Sequence, residues 1–237
     1  MSDYEDDALD IYLREPDDIG ARIVLLTALS IWPEISAGEE QRSWRRWLDA
    51  QGVLDLATRD EIDVLAGPVQ EEFAADLCER AVDSLPALAW ATALLDEIPL
   101  VESEDDQALI LERIPVPDEQ IVPFLDQLVL RDEDSVALER ERAELWNWRL
   151  ASEAVRREST GADLAEIEEI IREVVLESAI SFAITEVDTG DFLVNGVQVR
   201  LLENDMLDAL VVRSEERLRA FNWLCGLTEW DAIHLPD

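Results

Sequence analysis

Residues 191–226 read DFLVNGVQVRLLENDMLDALVVRSEERLRAFNWLCG, and this stretch predicts one short β-hairpin followed by a long final helix. Two β-favouring runs flank Asn195-Gly196, and both of these residues tolerate the positive φ of a type I′ turn. The final helix is predicted from about Asn204 to Cys225, and Gly226 follows it as a helix-ending residue. No other part of the chain carries a comparable strand signal.

The remaining sequence predicts helices separated by proline and glycine. Asp17 or Asp18 is expected to cap the first helix, and Thr58-Arg59-Asp60-Glu61 forms a capping box at the start of another. Pro86 predicts a kink or a new helix start near Ser84, because its ring removes one helical hydrogen bond. These helices are predicted over residues 17–32, 39–50, 58–67, 69–84, 85–97, 135–157 and 162–184.

The composition indicates a protein adapted to high salt. All 19 basic residues are arginine, against 56 acidic residues, and the formal net charge is −37. At molar salt the Debye length is only about 3 Å, so such a surface barely repels itself there, whereas dilute buffer destabilises it. The chain is also 48% hydrophobic with eight tryptophans, which is enough for a substantial core. We therefore expect the acidic residues to lie mainly on the surface.

One helical domain over residues 1–237 is expected, with an acidic lead-in at 1–16. Four prolines and an acidic run lie within 98–123, which is where a seam between two parts of the domain would fall. The start of the chain is acidic, unlike a secretory signal, and the apolar runs at 23–26 and 85–95 are too short to span a membrane. These features predict a cytoplasmic protein that does not bind membranes.

Several classes of chemistry are disfavoured by what the sequence lacks. A single histidine and two cysteines exclude an ordinary zinc site, so no metal is expected. Cys225 and His234 are the only thiol and imidazole candidates for a dyad, and nothing supplies the third group that would orient them. No glycine-rich phosphate loop predicts a nucleotide cofactor, and none of the arginines stand clear of acidic residues as nucleic-acid binding requires. No cofactor and no nucleic-acid partner are therefore expected.

Four stretches of the chain carry a family resemblance. The most specific is Ser214–Gly226 followed by Trp230-Asp231. The others are Gly190-Asp191-Phe192 with Val197-Gln198-Val199, Asp83–Leu95 with Trp90-Ala91 and Pro99, and Leu130-Arg131 with Trp146 and Arg149. Together they resemble the family called domain of unknown function 4272, over most of the chain and most strongly at Glu216–Asp231.

This resemblance implies a helical fold and no particular chemistry. Leu218 stands where family members usually carry a histidine, and the chain ends in His234-Leu235-Pro236-Asp237 where many members end in threonine-aspartate-threonine. A role that depends on the family histidine is therefore not carried over to this chain.

The sharpest candidate site lies on the final helix. Arg217 keeps its charge in any protein environment, so an inward-facing Arg217 needs a carboxylate, which Asp83 or Asp231 is placed to supply. Two interpretations stay open: a buried ion pair that ties the C-terminal turn to the core, or a pocket in which the arginine holds an anionic ligand. The candidate ligand-binding residues are Arg217, Asn222, Trp223, Asp231 and Asp83.

The sequence as a whole predicts a mainly α protein: a compact multi-helix domain with one short β-hairpin before the C-terminal helix. The function expected is that of a non-catalytic interaction or accessory protein with a protein partner. One alternative is an enzyme that uses acidic residues and Arg217 on a small molecule. Another is an acidic immunity or decoy protein that binds a basic partner through charge complementarity.

Overall fold

The computed structural model describes residues 11–67, 69–103, 107–181, 183–185, 187–188 and 190–231. Within these ranges the chain forms nine α-helices and one two-stranded antiparallel hairpin, so the predicted fold class is confirmed. The helices are α1 (Pro16–Ile31), α2 (Glu39–Ala50), α3 (Arg59–Ala66), α4 (Glu71–Ala91), α5 (Gln107–Leu111), α6 (Val122–Leu125), α7 (Glu133–Glu158), α8 (Gly161–Ile180) and α9 (Asn204–Leu224). The strands are β1 (Leu193–Val194) and β2 (Val197–Gln198).

The predicted start of α3 is confirmed in detail. Glu61 Oε2 accepts a hydrogen bond from the Thr58 amide at 2.7 Å, and the Glu61 amide donates to Thr58 Oγ1 at 3.3 Å. This reciprocal capping box satisfies two amides that the helix itself leaves without partners. The helix consequently begins where the sequence pattern placed it.

Other helix ends differ from the prediction. Glu15, not Asp17 or Asp18, precedes α1, because Pro16 occupies the first turn, where its missing amide costs nothing. The new helix start expected as one alternative near Ser84 does not occur: α4 runs through Pro86 to Ala91 as one helix. Burial of the residues around Pro86 outweighs the lost hydrogen bond, since Leu85, Ala87, Leu88 and Ala89 are all fully buried.

The hairpin has the predicted turn. Asn195 and Gly196 have φ values of 49° and 78°, which are the signs that a type I′ turn requires at both central positions. Val194 pairs with Val197 and Leu193 with Gln198 across the turn. A single 3-10 turn over residues 199–201 then connects the hairpin to α9.

Helices α7 and α9 pass through both hydrophobic clusters of the molecule. The larger cluster lies where α1, α4 and the second half of α9 pack together, and Phe221 and Leu224 are fully buried there. The smaller cluster lies under the hairpin, where Phe192 packs edge-on against Trp146 with ring centroids 5.1 Å apart. Helix α9 therefore carries side chains into both clusters, and the single-domain organisation stays a prediction. Among the described residues, no helix has an apolar stretch long enough to cross a bilayer.

Candidate functional site

Arg217 is buried on α9, and backbone carbonyl oxygens are its hydrogen-bond partners. Its side chain donates from Nη1 to the Pro99 carbonyl at 2.7 Å and from Nη2 to the Leu100 carbonyl at 3.2 Å. Its Nε is buried and has no hydrogen-bond partner among the described residues. Within the same residues no carboxylate forms an ion pair with Arg217. The guanidinium therefore has no ion-pair partner among the described residues, and its Nε–H group is left without an acceptor there.

A cavity of about 180 Å³ lies beside this guanidinium, between α7, α9 and the segments at 98–101 and 183–185. Apolar groups form most of its wall. Arg142 and Glu139 also line the cavity, and they form an ion pair with each other. The lining of the cavity includes Ile98, Val101, Ala143, Trp146, Ile184 and Arg217.

The environment of Arg217 disfavours its charged form. Burial lowers the pKa of Arg217 to about 10, the nearby charge of Arg213 lowers it further, and the more distant carboxylates of Asp83, Glu102 and Glu139 oppose this shift. Arg217 is still protonated at neutral pH. A carboxylate placed in the cavity would return the pKa toward its usual range, because an opposite charge favours the charged form.

The predicted pairing of Arg217 with Asp83 or Asp231 is wrong. Asp83 pairs instead with Arg213, whose Nε lies 3.1 Å from Asp83 Oδ1. Arg213 and Arg217 are one helical turn apart and share a face of α9, so either side chain could pair with Asp83 of α4. Arg213 forms this ion pair. Burial nevertheless raises the pKa of Asp83 above its ordinary value. Asp231 is exposed at the end of the described chain.

The five predicted site residues do not converge on one pocket. Asn222 Oδ1 accepts a hydrogen bond from Arg140 Nε at 2.9 Å, which joins α9 to α7. Trp223 lies against Trp230 with ring centroids 5.3 Å apart, and the guanidinium of Arg14 lies 4.7 Å above the Trp223 ring. Trp223 and Asp231 line a second groove, of about 230 Å³, that does not include Arg217.

Glu216 is a buried carboxylate that holds α9 to α4. Its Oε1 accepts from Arg80 Nη1 at 2.8 Å, its Oε2 accepts from Ser84 Oγ at 3.1 Å, and Arg219 lies 2.8 Å from the same oxygen. These three partners satisfy both carboxylate oxygens. Glu216 is therefore a structural contact between helices, and it leaves no open face for a ligand.

Other buried ion pairs among the described residues were not predicted. Arg22 of α1 donates to both carboxylate oxygens of Glu61, at 3.0 and 2.9 Å, so the capping-box glutamate also serves as a counterion. Arg149 of α7 donates to Asp191, from Nε at 2.6 Å and from Nη2 at 2.8 Å. The available signals were the acidic residue of the capping box and the aspartate that immediately precedes a hairpin strand.

Thiol chemistry is disfavoured in this environment. Cys78 and Cys225 are buried and are not joined by a disulfide, and burial raises the pKa of each thiol to about 11. Both are therefore protonated at neutral pH, whereas the thiolate is the nucleophile. His234, the other candidate for a dyad, lies outside the described residues. Within the part of the chain that the structure describes, no three acidic, cysteine or histidine residues cluster as metal ligands.

Residues 4–182 of the chain match the family described as Domain of unknown function (DUF4272). The match covers most of the chain, so the protein belongs to this family. It includes α1 to α8 and ends before the hairpin and α9, so the motif at Glu216–Asp231 lies beyond the matched residues. Comparison with curated proteins and with solved structures gave no match.

Proposed function

We propose that this protein is a non-catalytic binding protein with an accessory role, and that its ligand is a small carboxylate held by Arg217. One observation carries the proposal: a buried guanidinium that forms no ion pair among the described residues lines a cavity. Buried charges in proteins are normally paired, so an arginine without a carboxylate is a vacant position for an anion.

The cavity limits the ligand to a short carboxylate with an apolar body. Its volume of about 180 Å³ lies below the usual range for drug-sized ligands, roughly 300–1,000 Å³. Trp146, Val101 and Ile184 supply apolar contacts, and Arg217 supplies a cation that forms no ion pair among the described residues. A branched-chain or phenyl-substituted acid of a few carbon atoms fits this combination of size and charge.

The polar groups around the cavity favour binding over catalysis. Glu139 is engaged by Arg142, so it is not free to act as a general base. The hydroxyl of Ser214 lies 2.9 Å from the Val211 carbonyl and 3.2 Å from Asn147 Oδ1. Among the described lining residues, no nucleophile is within reach of an unpaired base, as covalent catalysis requires.

The surface charge supports salt adaptation in the cytoplasm as part of the same proposal. Exposed carboxylates occur on α1, α2, α3, α4, α7, α8 and α9, so they are not gathered on one face. A protein that captured a basic partner would be expected to concentrate them. Exposed carboxylates on seven of the described helices support the accessory role over the acidic decoy.

The test is isothermal titration of isovalerate and phenylacetate, with the matching neutral amides as reference ligands, in molar potassium chloride. The proposal expects binding of at least one acid, no binding of its amide, and loss of that binding in Arg217→Met. Arg217→Met should keep a melting temperature close to that of the original protein, because the substitution removes a buried charge that has no carboxylate partner.

Arg131→Met is the matched control variant. Arg131 also donates to backbone carbonyls, of Trp90, Leu95 and Asp96, and lies outside the cavity. It should lower stability and leave binding unchanged. Equal binding of acid and amide, equal binding by Arg217→Met, or no binding of either acid would each overturn the proposal.

A further inference from the structure

A second concave site lies between α7, α8 and the hairpin, and arginines dominate it. This cleft has a volume of about 390 Å³. Arg149 and Arg156 reach it from α7, Arg172 from α8, and Arg200 from the 3-10 turn after β2. The other lining residues are Glu168, Ile171, Gly190, Asp191 and Gln198.

The charge balance of the cleft is the reverse of the balance in the chain. The whole sequence has 56 acidic residues for 19 arginines, whereas the described lining of the cleft has four arginines and two carboxylates. Glu153 and Glu169, outside the lining, also pair with Arg149, Arg156 and Arg172, which leaves Arg200 as the lining arginine without an ion pair among the described residues. In a protein with a net charge of −37, most surface repels anions. A concave site in which cations outnumber acids is therefore where an anion would be held.

Asp191 lines the cleft, but its carboxylate oxygens are occupied by donors in the protein interior and do not face the open side of the cleft. It is fully buried, and its two oxygens accept from Arg149 Nε and Nη2, from the Phe192 amide at 2.9 Å and from the Arg200 amide at 2.9 Å. Four donors satisfy a carboxylate. The interaction fixes the floor of the cleft and holds the backbone of Arg200 in place.

The side chains at the open face keep donors for a ligand. Arg200 uses its Nε to donate to Gln198 at 2.7 Å, and it forms no ion pair within the described part of the chain. Arg172 is 63% exposed and uses Nη1 for Glu169 on its own helix. Arg156 is engaged more fully, because its Nε and Nη2 donate to Glu153 at 2.9 Å each and its Nη1 lies 3.5 Å from Glu168. The planar forks of these arginines match the oxygens of phosphate.

We propose that this cleft binds a small phosphorylated anion. Among the described residues that line the cleft there is no aromatic side chain on which a nucleobase would stack, so the chemistry fits pyrophosphate or a sugar phosphate better than a nucleotide. Arg172 and Arg200 contact the phosphate oxygens, whereas Arg149 and Arg156, held by Asp191 and Glu153, form the floor. The site is separate from the Arg217 cavity and does not depend on its ligand.

The test is titration of pyrophosphate and of glucose 6-phosphate at constant chloride concentration and ionic strength, followed by phosphorus NMR and calorimetry. Arg172→Gln and Arg200→Gln should each weaken binding roughly tenfold, since a charge-assisted hydrogen bond contributes about that factor. Glu168→Gln should tighten binding, because it removes the one carboxylate at the open face. The stronger of the two probes would indicate whether inorganic or organic phosphate is the ligand.

Arg46→Gln is the control variant, since it removes the same charge from an exposed arginine of α2, remote in sequence from the cleft. It should leave affinity within a factor of two. Helical content of each variant is checked by circular dichroism, and the exposed positions of Arg172 and Arg200 should leave it unchanged. The proposal is overturned if neither probe binds, if Arg46→Gln weakens binding as much as the cleft variants, or if sulfate competes as well as pyrophosphate does.

Discussion

The backbone amide of Tyr12 donates a hydrogen bond to the carbonyl oxygen of Cys225 at 3.1 Å, so the first described residues lie against the end of α9. The Arg14 amide continues the contact to the Leu224 carbonyl at 3.0 Å. Gly226 lies beside this pair with φ of +69°, and a β-carbon there would be 2.8 Å from the Tyr12 carbonyl oxygen. The close approach of two backbones thus depends on glycine.

Gly226→Ala should lower the free energy of unfolding by about 2 kcal/mol or more. Positive φ alone costs a non-glycine residue on the order of 1 kcal/mol, and the contact with the rigid Tyr12 carbonyl adds to it. The measurement is chemical denaturation at fixed salt, monitored by tryptophan fluorescence.

Gly52→Ala is the matched control for this prediction. Gly52 has φ of +74°, and the nearest atom to an added β-carbon is Asp55 Oδ2 at 3.9 Å. Gly52→Ala should therefore lower the free energy of unfolding only by the cost of a positive φ in a residue other than glycine. If Gly226→Ala and Gly52→Ala have equal effects, the contact between the two chain ends contributes nothing to stability.

Local signals accounted for most of the fold. The capping box at Thr58, the Asn195-Gly196 turn and the glycine after α9 each depend on residues within four positions of one another, so the sequence displays them directly. The new helix start expected near Pro86 does not occur, because packing against other parts of the protein outweighs the helix-breaking tendency of proline. The burial of Leu85 and Leu88 against other helices, which keeps α4 continuous, is invisible along the chain.

The candidate site was predicted less well, because partners of buried charges come from other helices. The sequence shows that Arg217 needs a partner, but it does not show that Arg213 on the same face reaches Asp83 first. Nor does it show that the carbonyls of Pro99 and Leu100 face Arg217. The arginine cleft was missed for the same reason, since its members are spread over α7, α8 and the turn after β2.

Gly196→Val should lower the free energy of unfolding by roughly 1 kcal/mol or more. A β-branched residue is poorly tolerated at the positive φ of 78° found here. An added β-carbon would meet no atom within 4 Å, so the cost is conformational and not steric. Gly190→Val, at a glycine without positive φ and equally open, is the control for thermal denaturation. A melting temperature unchanged by Gly196→Val would argue against the turn.

Glu153→Gln should destabilise the protein by about 2 kcal/mol at neutral pH, because it removes the buried carboxylate that Arg149, Arg156 and Arg157 share. The Glu153 side chain is fully buried, and its oxygens accept from Arg156 and Arg157 at 2.9 Å. Burial opposes ionisation, yet the hydrogen bonds from these two arginines and the charge of Arg149 lower the pKa of Glu153 below its ordinary value. Denaturation curves at pH 7 give the size of the effect.

The same variant has a defined pH dependence. A carboxyl whose pKa is lowered by folding stabilises the protein above its unfolded-state value, about 4.5, and this contribution is lost as pH falls through the folded-state value. The difference in free energy of unfolding between the original protein and Glu153→Gln should therefore shrink as pH falls below about 4.5. Glu158→Gln, on the exposed end of the same helix, should show little difference at any pH. A constant difference for Glu153→Gln across this range would contradict the assignment.

Removal of salt should unfold the protein. With 56 acidic residues against 19 arginines, lowering the salt from molar to about 10 mM extends the Debye length from about 3 to about 30 Å, and repulsion between carboxylates grows. The helical signal at 222 nm should be strong in molar potassium chloride and largely lost in dilute buffer. Sorbitol at equal osmolality should not replace the salt if screening is the cause. A spectrum unchanged down to millimolar salt would remove the case for salt adaptation.

Arg213 and Arg217 should respond differently to the loss of charge, although they are one turn apart on α9. Arg213→Met leaves Asp83 without the guanidinium that lies 3.1 Å away, in a place where burial already raises the pKa of Asp83, so we expect a loss of about 2 kcal/mol. The double variant Arg213→Met with Asp83→Asn should recover part of this loss, because the remaining charge is then gone.

Arg217→Met, by contrast, should change the free energy of unfolding by no more than about 1 kcal/mol. It forfeits two hydrogen bonds to carbonyls that stand near solvent, and it relieves the burial of a guanidinium whose pKa has fallen to about 10. Adding Asp83→Asn to Arg217→Met should give no recovery, since Asp83 already has Arg213. Urea denaturation of the single and double variants shows which of the two arginines is the counterion of Asp83. A large loss in Arg217→Met that Asp83→Asn restores would mean that Asp83 is the counterion of Arg217, and the cavity would then have no uncompensated charge to attract a carboxylate.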